Sequence, residues 1–105
     1  MENIAIITNG SDRQNSWAQD IANNWMRLID AEIEQTTLRV DCDRREGKDY
    51  PVVVRYLDTL RDYRNRAVAQ LAKMTAKQII DRYTAKQMLN DYVITTARKA
   101  AEREA

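Results

Sequence analysis

Apolar residues in the first half of the chain recur at three- and four-residue spacing: Trp17, Ala18, Ile21, Ala22, Trp25, Leu28, Ile29 and Ile33. That spacing predicts an amphipathic helix with an apolar face about half its circumference wide, enough to touch two neighbours. Ser11-Asp12-Arg13-Gln14 opens it as a capping box, in which Ser11 accepts from the N3 amide and Gln14 reaches back to the cap. Thr36 and Val40 continue the same face, and Gly47 is a natural C′ residue, so the helix is read as 12–46. Alternating apolar and polar residues over 37–42 also suit a strand. The alternative fold is therefore α+β, with short strands near 3–8, 37–42 and 51–56.

The next stripe is Val53, Leu57, Leu60, Arg64, Ala67, Leu71 and Met74, with Tyr56 and Tyr63 beside it. Steps of four and three mark the seam of an antiparallel helical pair, so a second helix is read over 50–74, capped by Asp49 with Tyr50 and Pro51 in its first turn. Arg64 is the one charge in this stripe, and Glu32 intrudes on the first. A hairpin pivoting near Lys48 brings the two level, which predicts a Glu32–Arg64 bridge that sets register.

Residues 75–83 (TAKQIIDRY) and 84–92 (TAKQMLNDY) repeat one nine-residue unit. Each opens with Thr-x-x-Gln, so Thr75 and Thr84 are read as helix caps, stapled by Met74 with Ile79 and by Tyr83 with Met88. Nine residues at about 100° each put the units on opposite faces of one continuous helix, so two helices are expected, 75–83 and 84–103. The last one sets Met88, Leu89, Tyr92, Val93, Thr96 and Ala97 on an inner face. Gln87, Asn90, Asp91, Ile94 and Arg98 fall on the outer face. Ahead of all this, residues 3–8 are short and β-branched and end at the turn signal Asn9-Gly10. Residues 1–10 are read as an extended arm on the helices, or as an edge strand open to another chain.

Composition sharpens this picture. A chain of 105 residues, 44% hydrophobic, with 2 Gly and 1 Pro, reads as one mostly α domain over 1–105: a small bundle built on a long antiparallel hairpin plus two short capped helices. Net charge is +1, but residues 1–40 carry three basic against six acidic side chains and the remainder is basic. With no His and a single Cys, Cys42, the usual zinc ligands, catalytic triads and disulfides are missing. No metal, cofactor or catalytic residue is expected, and the chain is read as non-enzymatic. No long apolar run or signal segment is seen, so no membrane association is expected and the cytoplasm is the expected location.

The charged loop 41–49 has neither calcium-loop acidic spacing nor a P-loop pattern, and reads as a solvated turn. Two functional expectations remain. The first is a protein-interaction module that docks on, and regulates or inhibits, a larger protein or nucleoprotein assembly through Gln87, Asn90, Asp91, Ile94 and Arg98. Homodimerisation through the tryptophan face is a variant of it. The second is a helix-turn-helix DNA-binding regulator over 75–100, with Gln87, Asn90 and Arg98 reading bases and Lys77, Arg82, Lys86 and Lys99 meeting phosphates.

Overall fold

In the computed structural model, which describes Ile4 and residues 6–103, four helices and no strand are present among the described residues. They are α1 (Asp12–Arg45), α2 (Pro51–Lys73), α3 (Ala76–Thr84) and α4 (Leu89–Arg103). The strand alternatives at 37–42 and 51–56 are not realised: both lie inside helices. Capping explains why α1 runs unbroken through its alternating stretch. Ser11 and Gln14 form the expected box at its start. At its end Gly47 takes φ 73°, and Gly47 N–H and Lys48 N–H close on the carbonyls of Arg44 and Asp43 at 3.1 and 2.8 Å. This is a Schellman closure, and it satisfies two of the carbonyls at the end of α1. At α2, Tyr50 rather than Asp49 is the N-cap and gives no side-chain bond; Pro51 at N1 supplies the pre-set φ instead.

At 1.5 Å per residue the 34 residues of α1 span about 51 Å, close to the 54 Å long axis of the molecule. α2 returns antiparallel along it. α3 then lies on α1 in the same sense, with Ala76 beside Gly10 and Tyr83 against Trp17. α4 runs antiparallel to α2: Thr59 Oγ1 donates to the Ala97 carbonyl at 3.0 Å and Arg55 Nε to the Ala101 carbonyl at 3.4 Å. The architecture is an up-down-up bundle whose third member is broken, its first half on α1 and its second mainly on α2.

Trp25, Ile29, Leu60, Ile79, Leu89 and Val93 are fully buried and fill the core. With no Phe in the chain, Trp25 supplies the large volume. Ala22, Ala67, Ala76, Ala97 and Ala101 line the seams, where small side chains let helices approach closely. Trp17, expected inside, is 48% exposed and meets Tyr83 edge-on at 6.4 Å.

The described part of the N-terminal segment forms no strand and lies on the helices. Ile4 and Ile7 pack on the core, and Ile7 N–H donates to Gln19 Oε1 at 3.0 Å. Residues 1–3 and 5, part of the expected arm, lie outside the described residues, as do 104 and 105. Asn9 clasps the α2–α3 junction: Ala76 N–H donates to its Oδ1 at 2.7 Å, and its Nδ2 donates to the Met74 carbonyl at 3.2 Å. Together with the capping box of Thr75 and Gln78, this satisfies three donors at the start of α3.

Two expected pairings are replaced. Arg64 reaches Asp30, Nε to Oδ1 at 2.6 Å, instead of Glu32. Glu32 accepts from the Tyr56 hydroxyl at 3.0 Å. Residues two apart on a helix point about 200° apart, so Asp30 and Glu32 open on opposite sides of the α1–α2 seam. Arg64 leans to one side and Tyr56 to the other. The second capping box does not form either. Thr84 is the last residue of α3, and its Oγ1 donates back to the Ile80 carbonyl at 2.9 Å.

Candidate functional site

The break between α3 and α4 is built by helix termination. Lys86 N–H closes on the Tyr83 carbonyl and Gln87 N–H on the Arg82 carbonyl, each at 3.0 Å. This is the same Schellman closure that Gly47 makes, but here the left-handed C′ position, φ 59°, is held by Lys86. Arg82 Nε seals the turn by donating to the Gln87 carbonyl at 2.7 Å. The chain leaves α3 pointing away from the core and re-enters it only at Leu89. A groove of about 600 Å³ lies outside the turn, walled by Arg82, Lys86, Met88, Tyr92 and Lys99.

The five residues expected to form one outer face are separated by the structure. Gln87 and Asp91 line the groove. Asn90 is buried, and Ile94 packs half-buried on the core. α4 is rotated so that these two turn inward and Tyr92, expected inside, turns out to 55% exposure. Arg98 lies in a different cleft. Among the four residues expected to meet phosphates, Arg82, Lys86 and Lys99 meet in the groove; Lys77 is exposed on α3 and does not line it. A helix-turn-helix sets its second helix at roughly 90–120° to the first. Here both halves run in the sense of α1, and with Asn90 buried the intended reading face is lost.

Sequence reasoning did not name Tyr92, the aromatic that lines this groove, among the site residues. Trp17, Tyr83 and Tyr92 are all substantially exposed. The Arg82 guanidinium lies over the Tyr92 ring at 5.8 Å, and Tyr83 follows it on α3 to meet Trp17. Periodicity assigned Tyr92 to the inner face of the last helix, and the capping pattern gave Tyr83 to a staple with Met88.

A second cleft, of about 430 Å³, opens between α1, α2 and α4 around Glu32, Arg39, Val53, Tyr56 and Arg98. Burial, and then the Glu32 carboxylate, push the Tyr56 hydroxyl up to about 12, while Arg98, 5.7 Å over the ring, pulls the other way. A phenol that keeps its proton and donates a hydrogen bond to Glu32 ties α2 to α1.

Among the described residues no three His, Cys, Asp or Glu side chains gather to hold a metal ion, and no helix is long and apolar enough to cross a membrane. No protein-family model matches the chain, and comparison with curated proteins and with solved structures finds no similar one.

Proposed function

We propose that this chain is a non-enzymatic protein-interaction module that docks on a larger protein or nucleoprotein assembly through the face around the α3–α4 break. The observation that carries this reading is the exposed Tyr92 in a groove walled by Arg82, Lys86 and Lys99, with a second exposed aromatic pair, Tyr83 and Trp17, starting one residue on from Arg82. Tyr, Trp and Arg are the side chains that most often anchor protein interfaces, because they bury much area at low entropic cost. A small bundle docked in this way acts by covering what its partner would otherwise use, so its effect on the partner is regulation or inhibition.

Photo-crosslinking tests it. A photoreactive phenylalanine at Tyr92 or Tyr83 is expected to capture one and the same protein, and the same group at Leu38, exposed on α1, to capture none. Equal labelling from all three positions, or no protein adduct from Tyr92 and Tyr83, overturns the proposal. A second reading, a nucleic-acid-binding module, draws on Arg82, Lys86 and Lys99 sharing the groove with Tyr92. Adducts to nucleic acid alone would favour it.

A further inference from the structure

We infer that the groove at the α3–α4 break seats an acidic segment of the partner protein, a short stretch of carboxylates with an interspersed aliphatic side chain. The inference rests on the docking reading and adds the chemistry of what docks. Three basic side chains, Arg82, Lys86 and Lys99, line the groove against one acidic one, Asp91. The ion pairs among the described residues lie elsewhere: Arg39–Asp43, Lys48–Glu46, Arg64–Asp30 and Arg66–Asp62. None of the three groove cations takes part in an ion pair among the described residues.

Arg82 is also pre-set for a carboxylate. Its Nε–H holds the Gln87 carbonyl, and its guanidinium carbon lies 5.8 Å from the centre of the Tyr92 ring. These two contacts restrain the side chain and leave the donors on its terminal nitrogens for a carboxylate. Lys86 and Lys99 stand at the same groove as flexible point charges, and the positive end of α4 opens there beside Met88 and Asp91. Met88 and Tyr92 supply an apolar floor for a side chain between carboxylates. With Asp91 also in the groove, a segment whose carboxylates are spaced by an aliphatic side chain fits better than a nucleic-acid backbone, which carries an unbroken run of charge.

Fluorescence anisotropy decides the matter. The probes are a labelled peptide of glutamates interspersed with leucine, the same peptide with glutamine for glutamate, and a labelled oligothymidylate. The glutamate peptide is expected to bind, to weaken with salt, and to lose about tenfold in affinity to Lys86→Glu/Lys99→Glu. Lys99→Glu alone, at an exposed position, is expected to lose part of this with unchanged helicity. Equal binding of the glutamine peptide overturns the inference. Tighter binding of oligothymidylate with the same residue dependence overturns it in favour of nucleic acid. Salt-sensitive self-association abolished by Lys99→Glu overturns it in favour of a second copy, whose acidic α1 would be the occupant. If the glutamate peptide fails while the crosslinker at Tyr92 still captures a protein, only the acidic chemistry falls. If both fail, the docking reading falls with it.

Discussion

The guanidinium of Arg64 crosses the hairpin to Asp30, with Nε 2.6 Å from Oδ1 and only 5% of the Arg64 side chain exposed. A buried cation adds little net stability beside its partner but costs much without it. Asp30→Ala is therefore expected to destabilise the fold by about 2 kcal/mol in urea unfolding. Arg64→Met is expected to recover part of that loss in the Asp30→Ala background. Glu32→Ala and Arg64→Ala are expected to show no coupling; coupling as large as that of Asp30 with Arg64 would contradict the observed pairing.

Asn9 completes the start of α3 from outside the helix. Asn9→Ala leaves the Ala76 N–H and the Met74 carbonyl without this partner and is expected to cost about 1–2 kcal/mol. The loss should appear first as faster amide exchange in α3, with α4 little changed, because α3 rests on α1 and α4 mainly on α2. Gly10→Ala is expected to act in the same direction, since a Cβ there would stand 3.1 Å from that of Ala76 and 3.0 Å from Gln14 Oε1.

Lys86 holds a left-handed backbone conformation that glycine adopts without cost. Lys86→Gly is expected to stabilise the protein by about 0.5–1 kcal/mol. Gly47→Ala, at the equivalent position of α1, is expected to destabilise it by a similar amount. Thermal unfolding of the two variants checks both signs.

Tyr56 sets an alkaline limit. Its hydroxyl is raised from 10.0 to about 12 in the fold, so its contribution is complete below pH 10 and is lost as pH climbs from there toward 12. Relative to the wild type, Tyr56→Phe is expected to lose stability less steeply over that interval. Arg98→Ala, which removes the influence holding the pKa down, is expected to move the phenolate absorbance of one tyrosine to still higher pH.

Local chemistry carried much of the architecture. The caps at Ser11 and Thr75, the turn at Gly47 and the seam from Leu57 to Leu71 could all be read because each is satisfied by neighbours in sequence. The second Thr-Ala-Lys-Gln could not, because two helices compete for it. As a cap it would begin α4; as a terminus it closes the carbonyls of Arg82 and Tyr83, and termination prevails. The rotation of α4 was hidden for another reason. Its buried seam holds two alanines, Ala97 and Ala101, beside Leu89 and Val93, and Asn90 and Ile94 turn inward where periodicity favoured Tyr92. The candidate groove was half legible: its cations were named, but its aromatic wall was assigned to the interior.

The clasp between Asn9 and Ala76 joins positions 67 residues apart. During synthesis Asn9 therefore emerges long before the junction it holds, while α1 and α2 can pair as soon as the hairpin is complete. The start of α3 cannot be sealed until α2 is finished and the next turn of chain has followed it out. The break and its groove are accordingly assembled last, and a nascent chain stalled just after α2 would carry the hairpin but not the surface proposed for docking.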